Sequence, residues 1–440
     1  MAKVVAKTLP GFMELLPQYQ IKFNEMIDII RKNYEKAGFL PLDTPIIESS
    51  DVLLAKAGGE TEKQIYRFEK GDNDLALRFD LTVPLAKYVA IHNNDLAFPF
   101  RRYQIGKVYR GEKPQKGRFR EFYQCDIDII GDEKLDIKNE AEIPSVIYNI
   151  FKELGFENFT IHLNNRKILN GLFNDLGLSK SSVDIMRIID KLDKIGIEKV
   201  STELEKINVN KDSIEKIRKF IQIQGDTDSK INQLEALEIE DESFKEGIEE
   251  LKEVIKYIRL FNVPEQNFMV DLTIARGLDY YTGTVYETTL DDYKQLGSVC
   301  SGGRYDNLSG YYTDKKLPGV GMAIGLTRLF DKFIDLNIIE FNKKSITDVL
   351  VIPATEEDVD YSIKLIETLR KFDINVQVYL ENKKLKAKFK YADKLKIPYA
   401  IVIGEEERET SLLTLKNMEI GEQEKVNIEK AIEKIKGGRR

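Results

Sequence analysis

Two long alternating segments, Tyr103 to Arg110 and Phe119 to Ile129, flank a short glycine-containing loop. A period of two on both sides of such a loop specifies an antiparallel hairpin, and no other stretch of the chain is constrained as tightly. Alternation places Arg120, Phe122, Gln124, Asp126 and Asp128 on one face and Phe119, Glu121, Tyr123, Cys125, Ile127 and Ile129 on the other. The second set is mostly apolar and suits a core. The first is polar, which is out of place inside a sheet unless something binds there. Arg110 and the loop residues Glu112, Lys113, Lys116 and Arg118 add a cationic cluster. The guanidiniums of Arg110, Arg118 and Arg120 would repel one another unless an anion such as phosphate or carboxylate lay between them. Ordinary surface charge on a solvated hairpin fits the same spacing; the polar face favours a ligand platform.

The hairpin sits in a chain too long for one core. At 440 residues, two or three domains are expected. Residues from Leu16 to Tyr34 carry Phe23, Met26, Ile27, Ile30 and Tyr34 at helical spacing, with Gly38 as C-cap and an extended stretch from Phe39 to Glu48. Leu75 to Phe79 reads as a strand ending at Asp80, with a helix starting near Val83-Pro84. From Asp175 to Tyr257 the texture changes to a Lys- and Glu-rich helical period, poor in Gly and Pro, which predicts an inserted helical subdomain. Strands return at Phe268 to Thr273 and at Thr284 to Thr288. After a polar linker, 341–345, strand-like Asp348–Ala354, Ile374–Leu380 and Tyr399–Gly404 alternate with helical Glu356–Phe372 and Lys384–Lys396. That pattern predicts a βαβαβ-type domain with a parallel sheet. The first domain, rich in hairpins, is expected to be α+β on an antiparallel sheet. The boundaries are 1–174 with 258–340 for the core, 175–257 for the insertion and 346–440 for the α/β domain.

Composition narrows the function classes. Hydrophobic content of 42% with 32% charged residues is that of a folded soluble protein, and no apolar run approaches a membrane span. The N-terminal residues lack the apolar core of a secretory signal. The two cysteines, Cys125 and Cys300, lie in strand-like stretches as reduced core thiols, and the two histidines, His92 and His162, are isolated. No zinc-type pattern results, so no protein-ligated metal is expected. The net charge of −7 argues mildly against nonspecific coating of nucleic acid and leaves a local basic surface open.

Three further segments carry chemistry on their spacing. Leu272 and Ile274 alternate with Arg276, so an arginine continues an apolar strand face, with Gly277 bending the chain after it. Such a charge needs a partner, either Asp279 or an anionic ligand. Gly319 to Gly325 runs into Leu326-Thr327-Arg328, a glycine-rich strand entering a helix. Close packing explains those glycines; so does a phosphate at the helix N-terminus. The lysines at 383, 384, 386, 388, 390, 394 and 396 read as a solvated helix face, or as a surface that tracks a phosphate backbone.

In order and in register, these pieces resemble the histidine–tRNA ligases, class II aminoacyl-tRNA synthetases, over nearly the whole chain. The helix and Phe39 to Glu48 resemble the first class motif, with Pro45 at the dimer interface. Phe100-Arg101-Arg102 through Arg118-Phe119-Arg120-Glu121-Phe122-Tyr123-Gln124-Cys125-Asp126-Ile127-Asp128 resembles the second, and Gly319 to Leu329 the third. Arg276-Gly277-Leu278-Asp279-Tyr280-Tyr281 and Ser301-Gly302-Gly303-Arg304-Tyr305-Asp306 resemble the two histidine-specific signatures.

The resemblance implies a class II catalytic domain with a helical insertion and a C-terminal anticodon-binding-type domain. It implies Asp80, Thr82 and Gln124 on the substrate amino group, and Asp128 and Tyr281 on opposite sides of the imidazole with Tyr280 beside them. It further implies Arg110 on the α-phosphate and substrate carboxylate, Glu112 reading adenine, Phe122 stacking on it, and Arg118 and Arg328 near the outer phosphates and adenine. Arg276 would stand where relatives use a metal ion, so Arg110 and Arg276 carry the catalysis. Two positions depart from many bacterial members: Asp80-Leu81-Thr82 replaces Glu-Gly-Thr, and Asp128 replaces Glu. Both keep the carboxylate.

The implied substrates are L-histidine, ATP with its Mg2+, and tRNA(His); the implied form is a cytoplasmic homodimer with no tightly bound metal. A noncatalytic relative, such as the regulatory subunit of ATP phosphoribosyltransferase, is the competing reading. It fits poorly with a chain that keeps its arginines and its C-terminal domain. A tRNA-binding or stress-sensing module would need degraded motifs.

Overall fold

The computed structural model describes residues 3–55, 60–113, 117–189, 192–274, 280–341 and 343–438. The chain divides into two compact units, Met1–Met13 with Met26–Ile338, and Glu14–Glu25 with Ile339–Arg440. The first is built on an eight-stranded sheet. Its order is Leu40–Pro41, Phe100–Tyr109, Glu121–Ile130, Gly319–Ile324, Cys300–Tyr305, Thr284–Leu290, Phe159–Asn165 and Phe268–Val270. All pairings are antiparallel except the first and the last.

The hairpin is present as read: Arg102 faces Asp128 and Tyr109 faces Glu121 across ten registered pairs. Cys125, Ile127 and Ile129 are fully buried on the apolar side, where the Tyr34 hydroxyl donates to the Cys125 carbonyl (2.8 Å). The first long helix runs Pro17–Lys36, and Gly38 follows with φ +77°, a conformation glycine adopts without strain. The Gly- and Pro-poor stretch forms a series of helices ending in Glu242–Leu260. This last helix lies close against Arg166–Asp175 because glycines face the contact: a Cβ at Gly171 would approach the Phe244 nitrogen to 2.4 Å.

The strand expected over Phe268 to Thr273 stops at Val270. Asp271 ends it, because its Oδ1 accepts from the Thr273 N–H (3.0 Å) and hydroxyl (2.6 Å) and turns the chain. Leu272 and Ile274 are still buried, but as part of a turn, so the apolar strand face read as leading to Arg276 is not a strand. Arg276 and Asp279 themselves lie outside the described residues.

The second unit holds a five-stranded sheet in the order Val376–Val378, Val349–Pro353, Tyr399–Ile403, Leu413–Asn417, Gln423–Val426. The three strands read from sequence are parallel, but the last two are antiparallel additions, so the sheet is mixed and not purely parallel. Within the lysine-rich helix Leu385–Lys394, one lysine departs from the solvated reading. Lys388 is buried and donates to the Pro353 carbonyl (2.7 Å), with its ammonium 5.8 Å from the Tyr379 ring centroid.

Candidate active site

A cleft of about 560 Å³ opens on the polar face of the first sheet. Its floor is made by Glu121–Ile130, Gly319–Ile324 and Cys300–Tyr305, and its rim by the segment after Asn73–Leu77 and by helix Leu326–Asp335. Asp80, Thr82, Gln124 and Asp128 line it, as do Tyr280 and Tyr281. Arg110, Glu112, Arg118, Phe122 and Arg328 line it as well. Arg276 falls outside the described residues, as does Lys116 of the cationic loop.

The inner end is acidic and tightly packed. Asp128 is buried, pairs through Oδ2 with the fully buried Arg102 (2.6 Å) and accepts through Oδ1 from the Tyr305 hydroxyl (2.7 Å). Burial raises its carboxyl to about 6, against the pull of Arg102 and Tyr305. Glycine makes room for it. A Cβ at Gly321 would come within 2.2 Å of Asp128 Oδ1, and one at Gly303 within 2.9 Å of the Tyr281 ring. Gly319 and Gly321 of the third motif therefore act through packing, Gly325 has open space around it, and the helix that follows brings Arg328 to the rim, its guanidinium donating to the Leu296 carbonyl (2.8 Å). Tyr280 and Tyr281 meet edge to face, with centroids 4.9 Å apart.

Asp80 caps the helix Thr82–His92: its Oδ1 accepts from the Val83 N–H (3.0 Å), and its Oδ2 is buried with no partner. Burial raises this carboxyl too. Gln124 likewise presents a buried, unpartnered Oε1. Two acceptors left bare inside a protein are costly unless a donor arrives.

At the outer end, Arg110 donates to the Phe79 carbonyl (3.0 Å) and lies over the Phe122 ring at 5.1 Å. Arg118 faces Glu112 at 3.7 Å and is largely exposed. Arg120, placed by alternation beside Phe122, is not part of the cleft lining; it donates to the Glu112 carbonyl (3.1 Å). Glu112 thus meets two of the three guanidiniums, Arg118 through its carboxylate and Arg120 through its carbonyl, while Arg110 is held by Phe79. Asp126, which alternation put on the polar face without giving it a role, is buried in the cleft floor. Among the described residues no cluster of three His, Cys, Asp or Glu is arranged to hold a metal.

This arrangement combines buried acceptors without partners among the described residues, an aspartate and two tyrosines lining the same cleft, and guanidiniums with an aromatic face at the mouth. Known proteins agree with it. Residues 11–329 match a family described as histidyl-tRNA synthetase, and residues 348–437 match an anticodon binding domain. A histidine–tRNA ligase of Clostridium tetani is 59% identical over 429 residues, covering 97% of each chain. One from Finegoldia magna is 50% identical, covering 98% of this chain and 99% of its own. The crystal structure of a histidyl-tRNA synthetase from Nostoc sp. PCC 7120 superposes with a TM-score of 0.91 at 41% identity, covering 99% of this chain and 100% of that one. A Bacillus halodurans structure described as an ATP phosphoribosyltransferase regulatory subunit/histidyl-tRNA synthetase shares the fold at 20% identity and a TM-score of 0.76, over 91% of this chain and 98% of its own. Matches spanning both units, with full-length relatives 50% and 59% identical, place the chain in the histidyl-tRNA synthetase family.

Proposed function

We propose that the protein activates L-histidine with ATP and transfers it to the 3′ end of tRNA(His), releasing diphosphate and then AMP. The histidine carboxylate attacks the α-phosphorus of ATP, the bond to the bridging oxygen of diphosphate breaks, and histidyl-adenylate forms. The terminal ribose hydroxyl of the tRNA then attacks the acyl carbon and AMP leaves. A carboxylate is already nucleophilic at neutral pH, so the first step needs positioning and charge stabilisation and no general base.

The observation that carries this reading is the pairing of bare acceptors on Asp80 and Gln124 with the guanidinium of Arg110 in one cleft, a match for an amino-acid zwitterion. In this assignment Asp80, Thr82 and Gln124 hold the ammonium, and Arg110 and Arg276 take the carboxylate and the α-phosphate. Asp128 and Tyr281 flank the imidazole, with Tyr280 buttressing Tyr281. Phe122 stacks on adenine, Glu112 reads it, and Arg118 and Arg328 meet the outer phosphates and the base. Mg2+ arrives with ATP. Leaving Asp128 or Tyr281 without a ring partner penalises other amino acids.

Residues 1–174 and 258–340 form the catalytic core in this reading, 175–257 the insertion and 346–440 the anticodon-binding domain. A homodimer is supported by Leu40, Ile46 and Ile47, which are 59%, 41% and 48% exposed beside Pro45. A cytoplasmic location is supported by Cys125 and Cys300, both free and buried. ATP–diphosphate exchange measured with each of the twenty amino acids tests the activity: exchange with histidine alone is expected, and none with any amino acid would overturn it.

A further inference from the structure

Asp126 is the one carboxylate of the cleft floor that the reading above leaves without a task. It is 2% exposed, and its Oδ1 is buried with no hydrogen-bond partner among the described residues. Strand register fixes where it lies. Asp126 faces Gln104 on one side and Ala323 on the other, and Ala323 in turn faces Ser301. This row runs between that of Gln124 and that of Asp128. The small side chains of Ala323 and Ser301 leave the row open on that side of Asp126, while Gln104 on the other side is turned to Asp43 (2.8 Å) and Thr44 (3.1 Å).

Its neighbours do not satisfy it. Arg102, which faces Asp128 in the next row, bonds Asp128 and the Leu81 carbonyl (3.2 Å) through Nη2, and its Nε and Nη1 are buried without forming a hydrogen bond to Asp126 or to any other described residue. Asp128 and Asp80 add negative charge, and with burial they push the Asp126 carboxyl well above the usual range, although Arg102 and Arg110 pull it down. A buried acceptor in this state is stabilised by a donor delivered with a ligand. The ammonium of an amino acid finds Asp80 and Gln124 first. What remains of histidine at this depth is its ring, and a ring lying between Tyr281 and Asp128 passes over the adjacent row.

We propose that Asp126 is a further specificity residue, accepting a hydrogen bond from an N–H of the substrate imidazole. Asp128, with one oxygen held by Arg102 and the other by Tyr305, takes the ring from one side in a fixed position, and Asp126 supplies a second acceptor that no described residue occupies. The proposal rests on the histidine-activating reading.

The test is Asp126→Asn, which keeps the shape and removes the charge, with Asp126→Ser as a second variant should the first fail to melt cooperatively. Histidine-dependent ATP–diphosphate exchange is read as separate KM values for histidine and ATP, and inhibition is measured with imidazolepropionate, which has the ring and carboxylate but no ammonium. The expected result is a histidine KM raised about 10–100-fold, the scale of losing a hydrogen bond to a charged group, with ATP KM and kcat within about twofold. The inhibitor's affinity should fall by the same factor. An unchanged histidine KM overturns the proposal. So does a raised histidine KM with unchanged inhibitor affinity, because the contact would then be to the ammonium. If the unaltered protein gives no exchange with histidine, the functional reading falls and this one with it; loss confined to the variant's expected effect leaves the functional reading standing.

Discussion

Asp128 and Asp271 are both largely buried acids in the first unit, and their surroundings push them in opposite directions. Asp271 has its Oδ2 2.9 Å from His162 Nδ1, and its Oδ1 accepts from the N–H and hydroxyl of Thr273. Burial raises its carboxyl, but those bonds outweigh burial and hold it at about 2. Asp128 has an arginine and a tyrosine, yet burial among other carboxylates leaves it at about 6. The first acid closes a turn and is satisfied by its own chain. The second belongs to a floor where Asp80, Gln124 and Asp126 keep bare acceptors. In the cleft, unpartnered acceptors converge on one space that a ligand can fill, whereas the bonds of Asp271 to Thr273 close on the turn itself.

The comparison breaks most visibly at Arg102. Replacing it with methionine leaves Asp128 buried and uncompensated, and should cost about 3–5 kcal/mol in denaturant unfolding. A loss below about 1 kcal/mol would mean that the acidic floor is stabilised by something other than this pair. Next comes Arg276, beyond the turn that Asp271 closes. Arg276→Ala should lower histidine-dependent exchange by about 10²–10³-fold with little change in melting temperature; near-normal turnover would remove it from the catalytic set.

The acids themselves separate by pH. Asp271 is depressed on folding, so its stabilisation, on the order of 2 kcal/mol, is present above pH ~4 and lost as pH falls toward about 2. Asp128 is raised on folding, so its contribution weakens as pH rises from ~4 through about 6. Stability-versus-pH curves should lose the acid-side slope in Asp271→Asn and the pH 4 to 6 slope in Asp128→Asn. Identical curves for the two variants would erase the distinction. The smallest effect is expected in the second unit, where Lys388 is a satisfied buried cation. Lys388→Met should cost about 1 kcal/mol, while Lys386→Ala stays within about 0.5 kcal/mol.

Much of this was readable from residues alone, and the failures have causes. The hairpin was legible because alternation persists through both of its strands, and the motif residues fell into one cleft because they sit at fixed offsets on that alternation. The strand through Asp271 was misread because Leu272 and Ile274 keep a period of two while the Asp271 side chain captures the Thr273 backbone. Gln423–Val426 gave no signal since three of its four residues are polar and exposed. Lys388 looked like its neighbours, and only the Pro353 carbonyl beneath it sets it apart. Asp126 was on the right face from the start, but alternation says which way a side chain points and not whether anything answers it.

The bare backbone at Gly303 and Gly321 has a further consequence. With no side chain at either position, Asp128 and Tyr281 rest directly on main chain, and main chain held in a hydrogen-bonded sheet cannot swing aside as a rotamer can. The sheet thereby acts as a datum from which both groups are placed, and any side chain added there would have to displace Asp128 or Tyr281 to exist.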